Sequence, residues 1–196
     1  MPLPVVDQEP REVTLLLRQW KDGDPAAMEE LVTLIYPELL KLARRNLRGS
    51  RDAQKVLSPT ELVHEAFLRL AGQNQPDWNH RAQFYYVAAR VMRQVLVDYV
   101  RELRSQKRGG GAVPLSLETV SIPGIGENPI DVVDIHEALA RLEQFDVRKA
   151  KVLELRFFVG MNTEEIAKVL GVSAITVARD VRTSMAWLRT QLKSFS

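Results

Sequence analysis

The sequence predicts an all-α protein with two helical domains joined by a flexible linker, the C-terminal domain being a helix-turn-helix. Apolar residues recur three and four positions apart along most of the chain, which is the period of an amphipathic helix. Three consecutive glycines and three nearby prolines interrupt that period after residue 108, as is typical of an interdomain linker. We therefore predict a first domain at residues 10–108, a linker at 109–130 and a second domain at 131–196.

Composition excludes several classes of protein. The chain has 196 residues and no cysteine, which excludes a disulfide framework and thiolate zinc sites. No apolar run approaches the ~20 residues that span a bilayer. The first ten residues include two acids and do not resemble a signal peptide. We therefore expect a soluble, cytoplasmic protein.

The net charge of +2 conceals a segregation of charge along the chain. Basic residues outnumber acidic ones by six to two over 36–55 and by seven to two over 81–108. Residues 109–138 contain five acids and neither lysine nor arginine. This alternation favours basic working surfaces joined by an acidic connector, although each segment alone also fits an ordinary solvated helix face.

Start and stop signals divide the first domain into helices. An apolar period over residues 13–20 predicts the first helix. Asp24 is a suitable N-cap for the second helix, and we expect Pro37 to break or kink that helix. A capping box at residues 58–61 begins the third helix, and a long helix follows from about 81 to about 107.

The second domain ends in a pattern typical of a helix-turn-helix. A capping box at 162–165 begins a short helix, Gly171 supplies a left-handed stop, and Ser173 caps the final helix. Arginines on that helix can bind guanine edges or phosphates, whereas the alternative is a helical hairpin without nucleic acid. Arg182 also fits a solvated residue or a salt bridge with Asp180. The candidate DNA-binding residues here are Ser173, Ala174, Ile175, Thr176, Arg179, Arg182 and Thr183.

Aromatic and polar side chains cluster where the long helix begins. A melted strand needs a basic groove and aromatic faces, and stacking on one aromatic contributes ~1–3 kcal/mol. For Phe84 we prefer a position in the core. Core packing is also the alternative for one of the two tyrosines, Tyr85 or Tyr86. The alternative for Trp78 is that it packs its loop against the domain. The residues offering these groups are Trp78, Asn79, His80, Arg81, Tyr85 and Tyr86.

Two segments of the first domain carry a family resemblance. The stretches Pro59–Leu70 and Phe84–Arg101 resemble the second domain of bacterial sigma factors. The helix-turn-helix that follows them resembles the fourth domain. The chain is similar, from about Leu15 to Leu192, to the two-domain extracytoplasmic-function (ECF, group IV) sigma factors of the sigma-70 family.

The resemblance implies a protein that binds core RNA polymerase and directs promoter-specific transcription initiation. The first domain would dock on the clamp of the largest subunits and melt the −10 element, and the second would bind the −35 element of promoter DNA. Regulation by an anti-sigma factor, by a Ser/Thr kinase or by expression level is open. The implied polymerase-binding residues are Glu61, Leu62, Val63, Glu65, Phe67 and Arg69. The implied promoter-melting residues are Trp78, Asn79, His80, Arg81, Tyr85, Tyr86, Arg90, Arg93 and Arg101.

One departure from the family lies at the start of the docking helix. Related factors commonly open it with an acidic run, whereas Ser58 and Thr60 stand at comparable positions here. Phosphorylation of Thr60 or Ser58 would restore negative charge, since a phosphate adds about −1.5 to −2 at neutral pH. The alternative is that both hydroxyls only cap the helix.

No motif in the sequence indicates an enzyme, a cofactor or a metal site. The three histidines are scattered, and His64-Glu65 lacks the second histidine of a zinc-protease motif. The competing function is a helix-turn-helix transcriptional regulator that does not join polymerase. Such a regulator should bind two-fold symmetric duplex sites as a dimer.

Overall fold

The computed structural model describes residues 10–47, 57–72, 81–107, 119–120 and 130–193, and helices dominate these ranges. This confirms the all-α fold class. The elements are α1 Pro10–Lys21, α2 Pro25–Asn46, α3 Pro59–Ala71, α4 Arg81–Lys107, β1 Thr119–Val120, β2 Ile130–Asp131, α5 Val132–Phe145, α6 Val147–Leu153, a π-helix Glu154–Val159, α7 Thr163–Leu170 and α8 Ala174–Lys193.

The predicted helix starts are confirmed. The Asp24 carboxylate accepts a hydrogen bond from the Ala26 backbone N–H at 2.9 Å and caps α2. In the capping box of α3, the Ser58 hydroxyl accepts from the Glu61 N–H, and the Glu61 carboxylate accepts from the Ser58 N–H. These caps satisfy backbone donors that the first turn of a helix leaves unpaired, so local sequence fixes where α2 and α3 begin.

Helix α4 lies at the centre of the molecule. It packs against α2 and α3 on one side and against α5 and the π-helix on the other. Phe84 and Ala88 are fully buried, and so is Val97 a further two to three turns along the helix. Because α4 is covered by both halves of the chain, buried residues from Val13 to Leu192 form one hydrophobic cluster.

Proline 37 does not break α2, contrary to the sequence-based expectation. The helix continues without interruption from Pro25 to Asn46. Ile35 before the proline and Leu39 and Leu42 after it are buried. Packing of one apolar face on both sides of Pro37 outweighs the one backbone hydrogen bond that proline cannot donate.

A short antiparallel ladder was not predicted, because the sequence contained no convincing strand. Thr119 pairs with Asp131 and Val120 pairs with Ile130. Two-residue strands are too short to produce a recognisable alternation of apolar and polar residues. The rest of the predicted linker, residues 108–118 and 121–129, lies outside the described residues, so the domain boundaries stay a prediction.

The helix that begins at Asp146 changes its hydrogen-bonding pattern before it ends. Residues Glu154–Val159 form a π-helix, and the backbone N–H of Gly160 donates to the Leu155 carbonyl at 2.9 Å. Gly160 then stops the helix with φ +93°, a backbone conformation that glycine adopts without steric cost. π-Helical turns are frequent at functional sites, and this one carries the buried carboxylate of Glu154.

Candidate nucleic-acid interface

Helices α7 and α8 follow one another with a short turn at residues 171–173 between them. The Asn162 side chain accepts from the Glu165 N–H at 2.9 Å, and the Glu165 carboxylate accepts from the Asn162 N–H at 2.7 Å. Gly171 ends α7 with φ +64°, and Ser173 caps α8 by accepting from the Thr176 N–H at 3.1 Å. These contacts therefore fix where α7 begins and ends and where α8 begins.

One face of α8 is exposed and carries most of the predicted DNA-binding residues. Ile175 is 82% exposed although it is a large aliphatic residue. Arg179, Arg182 and Thr183 are exposed on the same side, along with Ser173 at the start of the helix. Ala174 and Thr176 are half-buried. An exposed isoleucine beside two arginines presents an apolar and a cationic group to the same ligand surface.

The opposite face of α8 anchors the helix to the rest of the domain. Val177 is fully buried, and Asp180 is 1% exposed. The carboxylate of Asp180 accepts from Arg148 Nε at 2.8 Å. Asp180 is therefore paired with Arg148, and within the described ranges Arg182 has no ion pair. The salt bridge that the sequence suggested between Arg182 and Asp180 is absent.

The predicted docking helix α3 divides its candidate residues between the core and the surface. Leu62 and Val63 are buried and hold the helix in place. Glu61 and Glu65 are exposed, and hydrogen bonds from the Ser58 backbone and then the Ser58 side chain lower the pKa of Glu61. Both carboxylates are therefore accessible to a partner, and the capping box favours the charged form of Glu61.

Phe67 and Arg69 contact neighbouring elements at the sides of α3. Phe67 stacks on Trp20 of α1, with ring centroids 5.9 Å apart. Arg69 donates to the Asp98 carboxylate of α4 at 2.6 Å. Both side chains are partly covered by these contacts, so they orient α3 on the domain as well as bordering its exposed face.

Sequence reasoning missed Leu68, which is 68% exposed at the middle of the polar face of α3. It borders an apolar groove of about 360 Å³ between α2 and α3. The signal that was missed is the position of Leu68 around the helix. Seen down the axis of α3, Leu68 lies between His64 and Glu65, away from the buried stripe. The lining residues of the groove are Val32, Tyr36, Leu39, Val63, His64, Phe67 and Leu68.

Only some of the predicted promoter-melting residues can be located. Trp78, Asn79 and His80 lie outside the described residues. Arg81 lies over the Tyr85 ring with its guanidinium carbon 5.2 Å from the centroid. Tyr85 itself is 1% exposed, so core packing, the alternative considered for one tyrosine, applies to it. The core position predicted for Phe84 is confirmed by its full burial.

Tyr86 is half-buried between two cations from different halves of the chain. Arg90 of α4 donates to the Tyr86 hydroxyl at 3.1 Å. Lys151 of α6 lies 5.5 Å from the Tyr86 ring centroid. Burial raises the pKa of Tyr86, against the opposing effect of Arg90, so the hydroxyl stays protonated at neutral pH.

The three predicted strand-binding arginines of α4 are paired with the second half of the chain. Arg90 forms a bidentate contact with the Glu143 carboxylate at 2.7 and 3.0 Å. Arg101 donates to Glu137 at 3.2 Å. The sequence did not predict these pairs, because their members lie 53 and 36 residues apart.

Arg93 makes the most buried of these contacts. It forms an ion pair with Glu154 of the π-helix, and both side chains are 4% exposed. Its other amino group donates to Nδ1 of His136 at 2.8 Å. Burial, and then the charges of Arg93, Arg101 and Arg90, lower the pKa of His136 to about 4. The imidazole is therefore neutral near pH 7 and accepts the hydrogen bond.

The described residues were also searched for a metal-ion site and for a membrane-spanning helix. Within the described residues, no group of histidines and carboxylates is arranged to hold a metal ion. No helix in the same ranges is long and apolar enough to cross a bilayer. Neither feature points to a further site.

Comparison with known proteins identifies the family. The model of the ECF sigma factor family matches residues 10–194. The RNA polymerase sigma-E factor of Streptomyces avermitilis is 28% identical over 175 residues, which is 88% of each chain. The solved structure of CnrH in complex with the cytosolic domain of CnrY is 21% identical, with a TM-score of 0.40, and covers 94% of this chain and 99% of that chain. The chain belongs to the ECF sigma factor family, and it is a sigma factor that binds RNA polymerase and directs transcription initiation.

Proposed function

We propose that the exposed faces of α8 and α3 and the arginines of α4 have separate roles in promoter recognition. The α8 face reads the duplex −35 element, the α3 face docks on core polymerase, and the α4 arginines hold the melted −10 strand. The observation that carries this proposal is the exposed face of α8, where Ile175, Arg179 and Arg182 stand side by side.

The chemistry of the α8 face suits the major groove of DNA. Arginine binds guanine through two hydrogen bonds, and an aliphatic side chain contacts the thymine methyl group. The cap residue Ser173 and the first N–H groups of the helix suit a phosphate. The anchoring of Asp180 by Arg148 supports this assignment, because it leaves Arg179 and Arg182 without competing carboxylates in the described chain.

A reconstituted transcription assay tests the α8 assignment. Core polymerase with the wild-type chain should initiate at specific start sites, and Arg179→Ala should reduce that initiation. A bidentate arginine–guanine contact contributes ~1–3 kcal/mol, so the reduction should be from about 5-fold to about 150-fold. Arg18→Ala, which removes the same charge from the exposed side of α1, should have no effect.

The alternative function predicts a different pattern in the same assay. A regulator that does not join polymerase would bind symmetric duplex sites as a dimer. It would direct no initiation from the core enzyme. Equal initiation by the wild type and Arg179→Ala would remove the assignment of α8 while leaving the family intact.

The exposed face of α3 supports docking on a partner protein. Leu68 and the groove beside it offer apolar surface, and Glu61 and Glu65 flank it with negative charge. Buried apolar anchors rimmed by charge are typical of specific protein interfaces. We infer that Leu68 enters the contact with core polymerase and that the two carboxylates meet basic groups on the clamp.

Thr60 is the hydroxyl better placed for regulation by a Ser/Thr kinase. Ser58 already serves as the N-cap of α3, whereas Thr60 is exposed in the first turn. A phosphate there would meet the positive end of the helix dipole and add negative charge to the docking face. Thr60→Glu should bind core polymerase more tightly than Thr60→Ala; equal binding would contradict this form of regulation.

A further inference from the structure

Arg148 lies against the side of α8 although it belongs to another helix. It is in the first turn of α6, and its Nε and Nη2 donate to the two carboxylate oxygens of Asp180 at 2.8 and 3.4 Å. The Asp180 side chain is 2% exposed, whereas the Arg148 side chain is 46% exposed. A buried carboxylate therefore holds one edge of the guanidinium, while much of the side chain stays open to solvent.

The donors of Arg148 that Asp180 does not use are available to a ligand. A guanidinium has five N–H donors in one plane, and Nη1 of Arg148 makes no hydrogen bond within the described residues. The neighbouring cation differs, since the Lys149 ammonium donates to the N-cap residue Asp146 at 2.8 Å. Of these two cations, Arg148 has donors to spare, and its partner fixes where they lie.

Asp180 places this guanidinium at the border of the exposed α8 face. Thr176, Asp180 and Thr183 are three or four residues apart, so they form one strip along α8. Within that strip Thr183 is exposed, Thr176 is half-buried and Asp180 is buried. The strip is thus the line where the exposed face meets the rest of the domain, and Arg148 lies on that line.

A helix in the major groove has a sugar–phosphate backbone along each of its sides. The groove is ~12 Å wide, and an α-helix with its side chains is ~10–12 Å across. Groups at the centre of the inserted face meet base edges, and groups at its border meet phosphates. A half-exposed arginine at the border therefore suits a phosphate, which a guanidinium binds through charge-assisted hydrogen bonds.

We propose that Arg148 binds a backbone phosphate of the promoter duplex beside the groove that α8 enters, with Asp180 holding its guanidinium in place. This inference rests on the proposed function of α8. It goes beyond it by adding a DNA contact from outside the helix-turn-helix. It also gives the buried carboxylate of Asp180 the role of orienting that contact.

The test must not leave the Asp180 charge buried without a partner, because that strongly destabilises a fold. It is therefore made in a chain with Asp180→Asn, where the amide oxygen still accepts from Arg148 but carries no charge. Arg148→Gln in that chain removes the cation. Arg141→Gln in the same chain removes a cation from an exposed position on α5 and is the matched control.

Binding is measured on the holoenzyme, because the chain acts in complex with core polymerase. The probe is a fluorescent promoter duplex taken from upstream of a start site that the wild-type holoenzyme uses. A second duplex has the same sequence except that its −35 element is scrambled. Anisotropy titrations at several salt concentrations give the affinity for each duplex, its salt dependence and the discrimination between the two duplexes.

We expect Arg148→Gln to weaken the binding of both duplexes to the same degree, since a phosphate contact carries no sequence information. Loss of one phosphate contact reduces the slope of log affinity against log salt concentration by ~0.9. The loss of affinity should therefore be about tenfold at 0.1 M salt and about fourfold at 0.3 M salt. Arg141→Gln should change neither the affinity nor the slope.

Two results would overturn the inference. Unchanged affinity after Arg148→Gln shows that no phosphate is bound there. Weaker binding with an unchanged salt slope shows that Arg148 only positions α8. Arg179→Ala in the same titrations reports separately on the proposed function, because it should reduce the discrimination between the duplexes whatever Arg148 does.

A second variant serves if circular dichroism shows that Asp180→Asn unfolds the chain. Arg148→Lys in the otherwise native chain keeps a cation beside Asp180, but an ammonium lacks the planar fork with which arginine binds two anions at once. The inference then requires weaker binding of both duplexes to the same degree. Equal affinity, or a loss of discrimination between the duplexes, overturns it.

Discussion

Two glycines of the second half end helices with a left-handed backbone. Gly160 ends the π-helix with φ +93°, and a Cβ atom placed there would collide with the Arg45 guanidinium of α2. Gly171 also has a positive φ, but open space surrounds the position of its Cβ. The two glycines therefore share a backbone requirement and differ in what they touch.

Replacing these glycines separates the two effects. Gly171→Ala should lower the free energy of unfolding by about 1 kcal/mol, the cost of a left-handed backbone for alanine. Gly160→Ala should cost more, because Arg45 must also move. Adding Arg45→Ala to Gly160→Ala should recover the excess. Urea unfolding measures all of these variants, and equal losses at the two glycines would contradict the Arg45 contact.

His136 is expected to make the stability of the folded chain sensitive to acid. Its pKa falls to about 4 through burial and the neighbouring arginines, against the weaker opposing effect of Asp98, whereas an unfolded histidine titrates near 6.5. The unfolded chain then binds the proton more tightly. The stabilising contribution of neutral His136 is fully present above about pH 6.5 and is lost as the pH falls towards 4.

Comparison of the wild type with His136→Gln isolates this effect from the titration of Glu154, whose pKa is raised by burial. The wild type should lose about 1–2 kcal/mol relative to the variant between pH 7 and pH 4. That range is less than the full pKa difference implies, since the imidazole is half-exposed and solvent screens its surroundings. Parallel curves of unfolding free energy against pH would contradict a depressed pKa.

Among the elements, α3 shows how one helix serves both the core and a partner. Its buried stripe, including Leu62 and Val63, holds it against the domain, and its capping box fixes where it begins. Leu68 stands on the opposite side, where burial of a leucine by a partner contributes about 1.5–3 kcal/mol.

Replacing Leu68 should weaken polymerase binding without unfolding the chain. Leu68→Ser should reduce the affinity for core polymerase by about tenfold or more. Leu15→Ser alters another exposed leucine, on α1, and should leave that affinity unchanged. A pull-down titration with purified core enzyme measures the affinity of both variants. An equal loss of affinity in the two variants, or no loss in Leu68→Ser, would show that Leu68 does not lie in the interface.

At the scale of the whole molecule, local features were predictable from the sequence and the contact between the halves was not. Helix caps and stops depend on residues only a few positions away, so they can be predicted from the sequence. The examples here are Asp24, Ser58, Asn162 and Gly171. Arg93 and Glu154 are 61 residues apart, and nothing local links them. The basic and acidic segments were visible as opposite charges, but their pairing depends on tertiary packing.

The same limit applies to the candidate sites. The exposed face of α8 could be predicted from helical periodicity, because the residues that bury its opposite face belong to the same motif. Tyr85 and Arg93 were expected to face a strand, yet α4 is covered on both sides, which periodicity on one helix cannot reveal. Leu68 was missed for the opposite reason, since one leucine on a polar face does not alter the helical period.

The central claim is that the exposed face of α8 recognises promoter DNA for the polymerase to which the chain binds. Its most direct test is transcription by core RNA polymerase reconstituted with the wild-type chain or with Arg179→Ala. The account predicts initiation at specific start sites with the wild type and initiation reduced at least about 5-fold with Arg179→Ala. Equal initiation with the two chains would contradict it.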